Sequence, residues 1–538
     1  MSDRDELAPF LTRDQPFGPI ATEDIYNDTA KTLLFNVDNE IHREIIRRRP
    51  SFLVGRRGAG KTALLRESFR DPKLLAVELN SSQAFASVAD LIKHISSTGR
   101  TLFVAQHFAV WEAALWHAVF HAIFRVTVLQ PESKNIDSDR MSRYLTQICN
   151  MSDPEKDANS AINAFAALAR RRIDLSAADL MDELQLIHAG DTFYADARAA
   201  AVRWLEAASR SPIVLLDSIE DFDLFVERHD KAFAGLLYCI GAHARSEASG
   251  RSLGFSVQMS IPAELWNEIS LLASNPLKDF ASRVVLRWRA RELMTVAAER
   301  LRHFLVLTGS DLRHHAQDLD PHRAEHARKI LLLCLPPTIR NGLGTDEDTI
   351  AYLMRHTQLL PRHLLFLLNS IWLANYQLGG SAETIAAEAV VSGVRDVEGQ
   401  LVREIMKSYR LVHASAEVIC ESAVPELPLA FSDAELHQVF NRHLKRVADG
   451  MDYADVKALM VRIGCLGRVM ERSGRYVVGE FEYTAPHRLH IGSDEELCVH
   501  PLFAGVYQSK SARNPQPNDF AIYPYGSEVD ESTEKDWR

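Results

Sequence analysis

Residues 51–69, SFLVGRRGAGKTALLRESF, constrain what this chain can fold into more than any other stretch. An apolar run, Phe52-Leu53-Val54, leads into Gly55-Arg56-Arg57-Gly58-Ala59-Gly60-Lys61-Thr62. The pattern is G-x-x-x-x-G-K-T, whose chemistry is that of a loop that wraps a phosphate in backbone N–H groups. The three glycines keep Cβ atoms out of the wrap and permit backbone angles that other residues resist. Ala63 to Phe69 reads as a helix following the loop, its N-terminus favouring an anion. The pattern predicts phosphate contacts from Gly55, Gly58, Ala59, Gly60, Lys61, Thr62 and Ala63. Lys61 would reach the β- and γ-phosphates, and the Thr62 hydroxyl would ligate Mg²⁺.

A loop of this kind needs a buried strand before it and a sheet around that strand. Four further strand candidates follow: residues 74–79, 212–217, 254–260 and 283–288. With 52–54 they make five strands alternating with helices, which predicts a parallel α/β sheet. More than a hundred residues separate the second candidate from the third, and they have helical character; Phe108 to Phe124 is strongly apolar and long enough for a buried helix. The fold class expected is therefore α/β, a P-loop NTPase parallel sheet with a large helical insertion. From Ala290 onward the pattern is helical, and near the end Gly467 to Tyr483 alternates around Ser473-Gly474, a hairpin signal. Helices closed by a hairpin predict a winged helix. The boundaries expected are a leader over 1–50, a core over 51–289 with its insertion at 80–211, a helical lid over 290–409, a winged-helix-like domain over 410–505, and a loose tail over 506–538.

The third strand candidate, Ile213-Val214-Leu215-Leu216-Asp217, is four apolar residues and then an acid. An Asp at the end of a buried strand can hold Mg²⁺ beside the Thr of the loop. The next residues, Ser218-Ile219-Glu220-Asp221, supply carboxylates that could orient or deprotonate an attacking water. Glu220 is favoured for that role and Asp221 is the alternative.

The two motifs together, GRRGAGKT and IVLLDSIED, resemble the STAND and AAA+ side of the P-loop ATPases, including bacterial types related to origin-recognition proteins. In the STAND pattern the second motif ends in Asp-Glu; here the pair is reversed, Glu220-Asp221. The resemblance implies that Ser256 to Ser260 is a strand that senses the γ-phosphate, with Gln258 or Ser260 as the sensor. It implies also that Arg362, in Leu360-Pro361-Arg362, reaches nucleotide from the lid. The expected activity is Mg²⁺-dependent ATP binding and hydrolysis, with Lys61, Asp217 and Glu220 catalytic and Thr62 and Asp217 on the metal. Such a protein would act as a switch on an effector protein, in antiphage defence or DNA transactions by analogy with the group, and could form a homo-oligomer. The alternatives are an initiator or loader ATPase that uses its winged helix on DNA, and a nucleotide-binding scaffold that does not hydrolyse.

Composition narrows the partners. Lys+Arg number 61 against Asp+Glu 72, a net charge of −11, so the chain is not coated for nucleic acid. Residues 431–505 carry nine Lys/Arg and eleven Asp/Glu, which predicts weak or no direct DNA binding by the winged helix. The six cysteines are scattered without a C-x-x-C pair, so neither a disulfide framework nor a zinc site is expected. No apolar run has membrane-spanning length and the N-terminus lacks a signal-peptide core, so a cytoplasmic location is expected. Three features read as structural. His117 and His121 have metal-pair spacing but aromatic and aliphatic neighbours. Arg47-Arg48-Arg49 ends a helix, where cations suit the dipole. Arg283 and Arg287 flank the fifth strand, where an arginine finger is the less favoured reading.

Overall fold

The computed structural model describes residues 6–21, 25, 30, 34–35, 40–97, 104–175, 194–217, 230–250, 254–273, 275–410, 412–473, 476–485, 488–514 and 520–527. The chain divides into two compact units. A sheet unit comprises Glu40–Arg56 and Lys61–Leu286; a C-terminal unit comprises Met1–Asn39, Arg57–Gly60 and Arg287–Arg538.

The sheet unit is built on β1 (Phe52–Gly55), β2 (Leu74–Leu79), β3 (Ser211–Leu216), β4 (Ser256–Pro262) and β5 (Arg283–Leu286). They form one sheet in the order β2-β3-β4-β1-β5, with every neighbouring pair parallel. The apolar runs that marked β1, β3 and β4 are the three central strands, buried along nearly their whole length. Parallel strands covered on both faces read as continuous apolar runs for this reason. The edge strands β2 and β5 retain exposed positions. These are the five strands expected, and the arrangement fits an α/β P-loop NTPase.

The described residues of the long interval between β2 and β3 are mainly helical, as expected, with helices Ser81–Ser97, Val104–Leu129, Ile136–Arg143, Ala158–Leu175 and Tyr194–Ala207. His117 lies inside this bundle, its Nε2 2.8 Å from the Tyr144 hydroxyl and its Nδ1 2.6 Å from the Ala113 carbonyl oxygen. His121 is also buried. Among the described residues no group of three or more His, Cys, Asp or Glu side chains is placed to hold a metal ion. Arg48 pairs with Glu44 at 3.0 Å and Arg49 with Asp71 at 2.5 Å, so two members of the triple arginine have acid partners in their own unit.

In the C-terminal unit, helices Ala290–Leu307, Ala324–Leu332, Thr349–Arg355, Pro361–Gln377 and Ala387–Arg410 follow the helical pattern of the sequence. Arg300, fully buried, donates to the carbonyl oxygens of Phe17 at 2.6 Å, Pro19 at 2.7 Å and Leu34 at 3.1 Å. The N-terminal leader is thereby tied to helix Ala290–Leu307, and Leu7, Phe10, Leu11 and Phe17 are buried. Two short strands, β6 (Thr338–Arg340) and β7 (Asp346–Asp348), form a hairpin within this part.

The remainder contains helices Ala416–Ala423, Asp433–Val439 and Tyr453–Ile463, and the strands β8 (Ala430–Phe431), β9 (Leu466–Arg472), β10 (Tyr476–Glu480), β11 (Leu497–Val499) and β12 (Ala521–Pro524). The sheet order is β12-β10-β9-β11-β8. Strands β9 and β10 are the hairpin read from the sequence. The expected loose tail needs correction over its first part: β12 is buried at all four positions and pairs in parallel with β10. Its Tyr523 hydroxyl donates to Glu347 at 2.7 Å. Residues 528–538 lie outside the described residues.

No helix among the described residues is long and apolar enough to cross a membrane.

Candidate functional site

The site begins with sheet register. Ligands of open α/β sheets bind beyond the carboxyl ends of the strands, and β3, β4 and β1 are neighbours there. Leu216 of β3 pairs with Met259 of β4, so the next residues along, Asp217 and Ser260, stand side by side. Ser260 in turn pairs with Leu53, two residues before Gly55 closes β1. The loop 55–62, Asp217 and Ser260 thus leave three adjacent strands at the same end.

The side chains meet as that register requires. Thr62, at the start of helix Lys61–Arg66, donates its hydroxyl to Asp217 Oδ2 at 2.6 Å. Ser260 donates its hydroxyl to Asp217 Oδ1 at 2.8 Å. One carboxylate, held at a strand end, therefore gathers two hydroxyls from two other elements. Lys61 is buried, and its Nζ donates to the Arg56 carbonyl oxygen at 3.2 Å. The lysine lies back along its own loop. Arg56 Nε is 3.9 Å from Glu264, which fixes the start of the loop to the segment after β4.

Gly58 has φ +80° and Gly60 φ +87°, both in the region that favours glycine. A Cβ at Gly60 would enter open space, so only backbone conformation demands glycine there. A Cβ at Gly58 would lie 3.0 Å from the Cβ of Arg362, so the close approach of that side chain adds to the preference for glycine. Ala59 is fully buried, and its carbonyl accepts from Trp288 Nε1 at 2.9 Å.

The oxygens of Thr62 and Asp217 suit Mg²⁺. This is a hard cation that takes oxygen ligands, keeps several waters and uses one or two carboxylates with substrate phosphates. A site with two protein ligands is what such a cation needs in a phosphate loop.

Gln258, Arg362, Arg283 and Arg287 are engaged with partners within the protein. Gln258, expected as a nucleotide sensor, is buried one pleat below Ser260. It accepts from Ser68 at 3.2 Å and donates to the Pro50 carbonyl oxygen at 3.2 Å. Of the two sensor candidates the structure places Ser260 beside Asp217, because Ser260 lies nearer the carboxyl end of β4. Arg362 lies against Gly58, but its guanidinium is paired with Glu404 at 2.7 Å. Burial alone would push the Glu404 carboxyl up; Arg362, with His363 and Arg57, outweighs it and holds the group below the usual range. Arg283 stacks over Trp266 at 4.6 Å, and Arg287 donates to the Ala485 carbonyl oxygen; both are engaged within their own units. Glu220 and Asp221 lie outside the described residues. The sequence reads Trp288 as the end of the fifth strand, but that strand stops at Leu286 and the indole bonds to a residue 229 positions away, which no local pattern encodes.

No protein-family model matches the chain, and no curated protein matches it. Among solved structures it is similar to the crystal structure of Cdc6p from Pyrobaculum aerophilum, at 10% identity and a TM-score of 0.27, over 92% of this chain and 98% of that chain. Likeness at that level carries no functional argument, and the site's own geometry has to.

Proposed function

We propose that this protein binds ATP with Mg²⁺ in loop 55–62 and hydrolyses it, acting as a switch that controls a partner protein. The observation that carries the reading is the 2.6 Å hydrogen bond from Thr62 to Asp217. It joins two motifs 155 residues apart at the place where such enzymes assemble a metal site. Lys61 leaves the Arg56 carbonyl to meet the β- and γ-phosphates. Thr62 and Asp217 would hold the cation, with Ser260 keeping the carboxylate oriented, and the cation would supply charge neutralisation to the bound phosphates. Glu220, with Asp221 as the alternative, orients or deprotonates the attacking water. We read residues 290–409 as a lid and 410–505 as a winged helix, within an ATPase of the STAND and AAA+ type.

Phosphate release and ATP binding by the wild type, Lys61→Ala and Asp217→Asn test this. Mg²⁺-dependent release should be present in the wild type and lost in both variants, with unchanged melting of the ligand-free protein. Release by Lys61→Ala at the wild-type rate would remove the loop from the reaction. ATP binding by the wild type without release would favour the scaffold.

The partner is read as a protein rather than DNA because the two described arginines of the hairpin, Arg468 and Arg472, are already paired. Arg468 bonds to Glu495 at 2.7 Å and Glu480 at 2.5 Å, and Arg472 bonds through Nε to Glu496 at 3.0 Å. Lys457, on helix Tyr453–Ile463, bonds to Asp433 at 2.6 Å. A phosphate backbone would have to displace these carboxylates to gain contact.

A further inference from the structure

We propose that Trp288 is a positioning residue for phosphate binding: by holding the Ala59 carbonyl, its indole N–H turns the Gly60 N–H towards the phosphate in loop 55–62. The inference rests on the reading of that loop as a nucleotide site.

The Ala59 carbonyl and the Gly60 N–H belong to one planar trans peptide unit and point to opposite sides of it. Fixing the oxygen on one side therefore fixes the hydrogen on the other. Trp288 Nε1 donates to that oxygen at 2.9 Å. Both ends of the bond are buried: Ala59 is 0% exposed and Trp288 7%. A buried indole N–H usually finds an acceptor, and a rigid ring wedged in a core holds the bond's direction. The peptide it fixes needs such support. Gly60 has φ +87° and no side chain to restrain it, and glycine has more conformational freedom than any other residue. Without the indole, the 59–60 peptide could rotate and aim its carbonyl oxygen, rather than its N–H, at an anion. Phosphate loops bind through oriented backbone N–H groups, so a single reversed peptide replaces an attraction with a repulsion. Trp288 lies just before helix Ala290–Leu307, so the clamp comes from the segment leading into that helix.

The test uses the full chain with Trp288→Phe, which keeps an aromatic ring and removes the donor. Benzothienylalanine at position 288 is a second variant; it keeps the shape of the indole and replaces only the N–H. Binding of ATP, ADP and inorganic pyrophosphate is measured with Mg²⁺, together with melting of the ligand-free protein. Both variants should bind all three about fivefold to tenfold more weakly, the loss expected of one hydrogen bond. Ligand-free melting of the benzothienyl variant should match the wild type. Pyrophosphate separates this role from general packing, since the clamp acts on phosphate alone. Wild-type affinity in the benzothienyl variant, or a loss for ATP with none for pyrophosphate, would overturn the clamp and leave the nucleotide reading standing. Failure of the wild type to bind any of the three would overturn both.

Discussion

At the scale of single residues, Asp217 is the hinge of the site because it accepts from Thr62 and Ser260 at once. Removing the Ser260 donor leaves the carboxylate in place with one hydroxyl contact fewer to hold its orientation. Ser260→Ala should therefore keep ATP affinity near wild type and lower turnover by about tenfold, the smaller end of what losing a group that orients a metal ligand costs. Single-turnover phosphate release beside equilibrium binding would show the split; equal losses in both would assign Ser260 to binding. His243 supports a prediction about pH. It is buried, its Nδ1 lies 2.9 Å from the Phe255 carbonyl oxygen, and burial pushes its pKa down from 6.5 to about 4. As pH falls below 6.5 the unfolded chain takes up the proton first. The stabilisation is thus complete above pH 6.5 and is lost progressively down to pH 4, amounting to about 3 kcal/mol. His243→Gln should flatten the fall in melting temperature across that window; an unchanged slope would show that His243 does not carry it.

At the scale of elements, β12 joins regions far apart in sequence. It pairs with β10, and Tyr523 donates to Glu347, which also receives Arg355 at 2.6 Å and Asn341 at 2.9 Å. The three donors outweigh the burial that would otherwise push the Glu347 carboxyl up, Arg355 most strongly. Tyr523→Phe removes one of them and should cost about 1–3 kcal/mol. Truncation after residue 520 removes the whole strand and should destabilise more than truncation after 527. Urea unfolding of the three proteins would rank them, and equal stability after both truncations would return β12 to the status of a tail. Helix Tyr453–Ile463 turns Val456, Leu459, Met460 and Ile463 into the core. Its exposed face includes Asp455, which phosphate repels.

At the scale of the whole molecule, a net charge of −11 disfavours approach to nucleic acid, and three cations of the C-terminal region, Arg468, Arg472 and Lys457, are held in ion pairs. Random duplex DNA should bind the full chain weakly at about 50 mM salt and not measurably at about 150 mM, the range over which phosphate contacts fall away. Sub-micromolar binding at the higher salt, in a fluorescence titration with ATP present, would favour the initiator reading instead. All six cysteines are buried and free. Burial pushes the thiols of Cys149 and Cys334 up to about 12, away from the reactive thiolate. Ellman's reagent should therefore find almost no thiol in the native protein and six in denaturant.

The sequence by itself determined the five parallel strands, the helical interval, the loop and its partnership with Asp217. Each is written in local terms: a run of apolar residues for a strand buried on both faces, glycines where φ is positive, an acid where a buried strand ends. Tertiary structure decided what depends on register and distance. Gln258 and Ser260 share a face of β4, and only the offset of β4 against β3 sets Ser260 beside Asp217. The pairing of Arg362 with Glu404 and the clamp of Trp288 on Ala59 join residues 42 and 229 positions apart, and no local pattern encodes either. Strands β6, β7, β8 and β11 are two or three residues long, too short to show an alternation. Strand β12 follows a polar, proline-rich stretch that reads as tail. It is a strand because β10 offers an open edge and Glu347 a buried acceptor, and neither is visible from the residues of β12 alone.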